Sequence, residues 1–196
     1  MHDLHVRCSG SVGWALSALF QRGVLVPVTD GTRLTDFLLI SLEIPRADLE
    51  ERVQTIFLDG RPVDDPATAV MGPGSVVALS ASLPGLVGAT MRKGGTYASL
   101  RSSISHTEGA REEHGGRSGY ATLKLFNVLM GELGPALLQR GVMVPASRLL
   151  DLLRAGNHSV ECSRAEMDGV AVDTDQVLGR LLELEEQPMG LRITTL

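Results

Sequence analysis

The string LFQRGVLVP at residues 19–27 recurs as LLQRGVMVP at residues 137–145, with seven of the nine positions identical. The match extends beyond that core. Arg33, Leu34, Asp36 and Leu38 answer to Arg148, Leu149, Asp151 and Leu153 after a three-residue deletion. Farther on, Asp59-Gly60 and Val63-Asp64 answer to Asp168-Gly169 and Val172-Asp173. Each copy then closes on an apolar strand, Ser75 to Ser80 and Leu191 to Thr195. Marks repeated in one order with small insertions and deletions describe a duplicated unit of about 75 to 80 residues. The expected organisation is a first unit over 1–83, a Gly/Ser-rich linker over 84–121 and a second unit over 122–196.

Composition agrees with folded domains and excludes several classes of partner. A chain of 196 residues holds one medium domain or two small ones, and the repeat selects two. With 43% apolar and 21% charged residues, the chain has enough apolar surface to bury a core. A net charge of −5 and a pI near 5.5 lack the basic footprint that phosphate-backbone binding needs, so no nucleic acid is expected. No apolar run reaches the roughly 18 to 20 residues that span a bilayer, and MHDLHVRCSG lacks the regions of a signal peptide. The expectation is a cytoplasmic protein without membrane contact. Cys8 and Cys162 are far apart and lack metal-ligand spacing, so both are expected as reduced thiols.

Pattern and punctuation predict the elements of one unit. In the second copy, Thr122 to Met130 reads as a strand with imperfect alternation and Leu133 to Gln139 as a short helical turn. Gly141 supplies the left-handed residue that stops that turn. Val142 to Val144 is a strand, and Ser147 caps a helix from Arg148 to Arg154 whose leucines share a face. A strand near Val160 to Cys162, the Asp168-Gly169 turn, Val170 to Val172, a helix near Val177 to Leu184 and the closing strand follow. The first copy reads alike, with strands at Leu4 to Cys8, Val24 to Val28, Gln54 to Leu58 and Ser75 to Ser80 around a helix from Leu34 to Leu42. A sheet covered on one face by a helix is the two-layer α+β solution.

Three segments carry a resemblance: RLTDFLLISLEIP at 33–45, IFLDGRPVD at 56–64 and GPGSVVALS at 72–80. Their order and turns resemble the β-grasp (ubiquitin-like) sulfur-carrier superfamily, which includes the molybdopterin-synthase small subunit and the thiamine sulfur carrier. The likeness lies in a helix ending in Leu-Gly-Ile-Pro, a V-N-G-x-x-V turn and a D-G-D-x-V entry to the last strand. It implies an α+β fold of two tandem β-grasp units, each a mixed sheet covered by one main helix, and a protein that works through partners. Carriers of that family end in Gly-Gly, which a partner enzyme adenylates and converts to a thiocarboxylate. This sequence ends Arg192-Ile-Thr-Thr-Leu196, and its one tail-like pair, Gly94-Gly95, is internal. Carrier chemistry would therefore require cleavage after Gly95.

Among candidate sites, the segment from Pro84 to Tyr97 stands out. Its glycines with Arg92 and Lys93 suggest an anion cradle, but a P-loop is excluded because the lysine precedes the glycine pair and no Gly-Lys-Ser/Thr follows. A glycine-permitted extended linker is the plainer reading. Leu86, Val87, Met91 and Tyr97 are apolar for a solvated linker, which points to docking on a protein partner with Arg92 and Lys93 at the contact. His106, Glu108, Glu112, Glu113 and His114 follow no ligand spacing and read as a solvated stretch, so no metal or cofactor is expected. His2 and His5 lie at a frayed start, and His158 has no assigned role. No Gly-x-Ser-x-Gly elbow or cysteine-histidine neighbour is present, and the carboxylates Asp59, Asp64, Asp65, Asp168, Asp173 and Asp175 recur at turns. Arg22 and Arg140, in the repeated Gln-Arg-Gly, would pair with a carboxylate or face a partner. The expectation is a non-catalytic binding or assembly protein with a protein partner, self-associating as a homodimer through sheet edges. Two alternatives are a carrier released after Gly95, and a binder of small anions in an inter-domain cleft with Arg92, Lys93 and Arg101.

Overall fold

The computed structural model describes residues 2–9, 13–81, 85–93, 95–96, 116–154 and 161–195. Strand β1 (Asp3–Ser9) leads to helix α1 (Gly13–Arg22), and β2 (Val24–Thr29) follows. Short β3 (Thr32–Arg33) precedes α2 (Leu34–Asp36), which continues as a π-helical turn over Phe37–Ser41 with Leu42 N–H donating to Phe37 O at 2.9 Å. Next come α3 (Arg46–Glu51), β4 (Thr55–Leu58), β5 (Arg61–Pro62), β6 (Val70–Met71), β7 (Val76–Ser80) and α4 (Gly85–Met91). The second half holds β8 (Ser118–Phe126), α5 (Leu129–Arg140), β9 (Val142–Pro145), α6 (Ala146–Arg154), β10 (Glu161–Met167), β11 (Val170–Val172), α7 (Thr174–Leu184) and β12 (Pro188–Thr195).

The α+β expectation is met by these elements and by the sheets they build. The chain forms two compact units that interleave along the sequence, one of Met1–Leu25 with Met130–Leu196, the other of Val26–Leu129. We call them the terminal and the central unit. In the central unit, β8, β7, β4 and β5 are neighbours in that order. The β7–β8 pair is parallel, while β7–β4 and β4–β5 are antiparallel. In the terminal unit, the order is β11, β10, β1, β12, β9, with β1–β12 parallel and the other pairs antiparallel. The strand set of each unit is thus mixed, and each draws its parallel pair from sequence-distant segments. Boundaries at 83/84 and 121/122 follow the repeat, whereas these units follow spatial contact.

Burial explains why the elements sit where they do. On β8, Ala121, Leu123 and Leu125 are buried and alternate with half-buried Thr122, Lys124 and Phe126, a period-two pattern that packs one face of a sheet. Leu34, Phe37, Leu38, Ile56, Leu58, Met71, Val77 and Leu79 complete a fully buried set in the central unit. The terminal unit buries Phe20, Val24, Val144, Leu181 and Met189. Gly134 lies against Phe20: a Cβ there would sit 3.0 Å from the ring's Cε2, a tight contact that would make the ring give by a few tenths of an ångström.

Several sequence-based expectations differ from what forms. The strand expected over Thr122 to Met130 begins at Ser118 and ends at Phe126. Asn127 adopts φ 55, a left-handed conformation asparagine tolerates, and its Nδ2 donates to Ser80 Oγ at 3.0 Å. The following helix starts at Leu129 because Leu133, Leu137 and Leu138 bury one stripe, which outweighs the glycine and proline signals around Gly134-Pro135. Residues 118–121, assigned to the linker, are part of β8. The start of the chain is not frayed at His2 and His5: β1 is flanked by β10 and β12, and His5 Nε2 lies 3.1 Å from Thr194 Oγ1. The repeated glycines act as the sequence suggests, with φ 105 at Gly23 and φ 107 at Gly141.

The two Asp-Gly turns do the same mechanical task in each unit. Asp59 and Asp168 take φ 51 and 53, followed by Gly60 and Gly169 at φ 79 and 80, a pair of left-handed residues that suits a tight hairpin. Val76 N–H donates to Asp59 Oδ1 at 2.7 Å and Asp59 N–H to Val76 O at 2.9 Å. Likewise Asp3 N–H donates to Asp168 Oδ1 at 2.8 Å and Asp168 N–H to Asp3 O at 2.9 Å. Each turn therefore fastens its hairpin to the first residue of the adjacent central strand. The second Asp168 oxygen lies 2.7 Å from His2 Nδ1, and this bond, with the Asp3 N–H, holds the Asp168 carboxyl below its ordinary value of 3.8. A carboxylate with a depressed folded-state pKa stabilises the fold above 3.8 and loses that contribution as pH falls through the lower value. Asp168→Asn is expected to be less stable than the parent at neutral pH in urea denaturation, with the gap closing on acidification. A gap that is constant into strong acid would refute this role.

Candidate functional site

The segment singled out by its apolar residues is a helix at its start. Residues 85–91 form α4, which corrects the extended-linker reading there. Just beyond the helix, Lys93 ties the chain to α3 and Gln54 in two ways. Its main-chain N–H donates to Gln54 O at 2.9 Å, and its Nζ donates to Leu49 O at 2.7 Å. Leu49 is in the last turn of α3, where carbonyls lack partners within the helix and the dipole favours a positive charge. Gln54 Nε2 supplies the same end by donating to Glu51 O at 2.9 Å. Lys93 is half-buried, and desolvation lowers its pKa from 10.5 while the nearby Glu50 charge partly restores it. The turn closes with Gly95 N–H donating to Arg92 O at 3.2 Å, and a Cβ at Gly95 would meet that same oxygen at 3.2 Å.

The structure distributes the expected contact residues unevenly. Leu86 and Val87 belong to α4, Met91 at its end is half-buried, and Arg92 is exposed. Gly94 and Tyr97 lie outside the described residues, as do Arg101, His106, Glu108, Glu112, Glu113, His114 and His158. Sequence reasoning misses the anchor: it presents Lys93 as a free cation for an anion or a partner, and nothing local ties that side chain to a carbonyl more than forty residues earlier.

Other polar positions serve helix ends. Arg148 Nη1 donates to Arg22 O at 3.3 Å and to Gly23 O, satisfying the end of α1. Arg192 Nη2 lies 3.5 Å from Arg140 O at the end of α5. Arg22 does meet a carboxylate, with Nη1 3.4 Å from Asp151 Oδ2 on the surface. Beside α5 and β12 a cavity of about 320 Å³ is lined by residues that include Gly131, Glu132, Pro135, Ala136, Leu138 and Ile193. Asp173 caps α7: Gln176 N–H donates to its Oδ1 at 2.8 Å and Asp173 N–H to Gln176 Oε1 at 2.9 Å.

Among the described residues no group of three or more His, Cys, Asp or Glu side chains is placed to hold a metal ion. Among them, no helix is long and apolar enough to cross a membrane. No protein-family model, curated protein or solved structure matches the chain.

Replacing Lys93 with methionine keeps the stem and removes the ammonium, so Leu49 O loses its donor. Lys93→Met is expected to lower stability by about 1 kcal/mol, less than the roughly 1.5 to 3 kcal/mol of a hydrogen bond to a charged group because solvent partly screens the half-buried ammonium. Amide hydrogen exchange at 88–93 should accelerate while that of β7 is unchanged; equal rates in parent and variant would mean that the side chain does not hold the segment.

Proposed function

We propose that this chain is a non-catalytic binding or assembly protein of two β-grasp units that acts through protein–protein contacts on the segment from Leu86 to Tyr97. The observation that carries the reading is the double attachment of Lys93 to Leu49 O and Gln54 O. It fixes the end of α4 on the central unit, so Met91 and Arg92 are presented from a set position instead of a solvated linker. The β-grasp part of the proposal draws on the mixed sheets, the helix from Leu34 through the π turn, and the two Asp-Gly hairpins. At the position where the resembling family has glycine before Ile-Pro, Glu43 adopts φ 48, the left-handed conformation that glycine would provide.

The carrier alternative receives less support. Strand β8 lies beyond Gly95 and pairs in parallel with β7 from Val76↔Thr122 to Ser80↔Phe126. Cleavage after Gly95 would put those two strands on separate fragments. The anion-binding alternative receives less support too, because one of the three Lys93 ammonium N–H groups donates to Leu49 O and holds the side chain there. For the homodimer, β11 offers one edge: it stands at one end of the strand order, and Val170 is 66% exposed.

Leu86, Val87 and Met91 exchanged together for serine should abolish recovery of a stoichiometric partner in affinity purification from the native cell, with the fold retained by circular dichroism. Undiminished recovery would remove the segment from the proposal, and an intact bait mass ending at Gly95 would turn the reading to the carrier. Val170→Lys should reduce self-association measured by light scattering; a molar mass equal to that of the parent would exclude β11 as the dimer edge.

A further inference from the structure

The two cysteines, 154 positions apart by subtraction of their numbers, are brought opposite each other by a defect in one strand pair. Strands β1 and β10 pair antiparallel with Leu4↔Met167, His5↔Glu166, Val6↔Ala165 and Arg7↔Arg164. Continued regularly, that register would set Cys8 against Ser163. A bulge between Arg7 and Cys8 shifts it by one, so the Cα partner of Cys8 is Cys162 and the partner of Ser9 is Glu161. Directly opposed residues of an antiparallel pair have Cα atoms about 4.5 or 5.5 Å apart. Both values fall in the range of about 4.4 to 6.8 Å that a disulfide requires.

We propose that Cys8 and Cys162 are a disulfide site, closed by exchange with an oxidised low-molecular-weight thiol such as glutathione disulfide. In the first step one cysteine thiolate attacks the small disulfide, forms a mixed disulfide and releases one small thiol, which takes up the proton that the cysteine lost. In the second step the other cysteine attacks the protein sulfur of the mixed disulfide. The Cys8–Cys162 bond forms, the second small thiol leaves with the second proton, and the small disulfide is reduced as the two cysteines are oxidised. Cys8 is 1% exposed, which shields its thiol from direct encounter with a disulfide in solvent.

The bond would act on the weakest link in the terminal unit's connectivity. That unit consists of Met1–Leu25 and Met130–Leu196, and the chain between them runs through the whole central unit. A Cys8–Cys162 disulfide joins those two segments directly. A cut anywhere between them would then leave both attached.

The test uses the full chain, incubated with glutathione disulfide at slightly alkaline pH, alkylated and analysed by intact mass and peptide mapping without reduction. Supporting the proposal would be a monomer lighter by two hydrogens, with the peptides of Cys8 and Cys162 joined, and a raised urea midpoint that returns on reduction. Cys162→Ser, which keeps the buried Cys8, should lose both the mass change and the midpoint shift. An unchanged mass, stable glutathione adducts on either cysteine, or a bond between two chains would each overturn it.

Discussion

Two parallel strand pairings hold this protein's organisation. Strand β7 lies beside β8, and β1 beside β12, over five and six registered positions. Parallel neighbours cannot be joined by a tight turn, since the chain must cross over before it can run in the same direction. Here the crossovers are long: residues 81–117 separate β7 from β8, and nearly the entire chain separates β1 from β12. That is why the compact units interleave in sequence. The N-terminal strand serves the unit built mainly from the C-terminal half, and β8 serves the unit built mainly from the N-terminal half.

Within each unit, the pairing is reinforced by the same small device. An aspartate in a left-handed turn residue accepts the first N–H of the strand beside its hairpin, Val76 in one unit and Asp3 in the other. Both strands belong to the parallel pairs. The Asp59 and Asp168 turns thus act on tertiary order as well as on local chain reversal. Close approach adds to this at Gly190, where a Cβ would run into the Asp3 carboxylate.

Helix ends are the second recurring theme, and they connect the fold to the candidate site. Glycines at φ 105 and 107 stop α1 and α5, and arginine side chains from elsewhere in the terminal unit donate to the carbonyls that those helices leave open. Lys93 performs the same service for α3 in the central unit. A cation set on open carbonyls holds its own stretch of chain in return, which is how the end of α4 acquires a fixed place. Structural and functional readings of Lys93 are one interaction.

Much of the local structure was legible in the sequence. The repeated Gln-Arg-Gly marks two helix ends, Asp59-Gly60 and Asp168-Gly169 mark two hairpins, and the strands at Val24, Val76, Val142 and Val170 fall close to where apolar pattern placed them. Such features depend on a few adjacent residues and on their φ preferences, which the chain carries wherever it goes. The candidate segment was legible by composition alone, from Leu86, Val87 and Met91, without its helix or its anchor. What tertiary structure alone decided is pairing: which strand lies beside β7 or β1, that a bulge sets Cys8 opposite Cys162, and that Lys93 meets Leu49 O. Main-chain hydrogen bonds between strands are chemically alike at every position, so partners are selected by how all the buried faces pack at once, and no local string of residues records that choice.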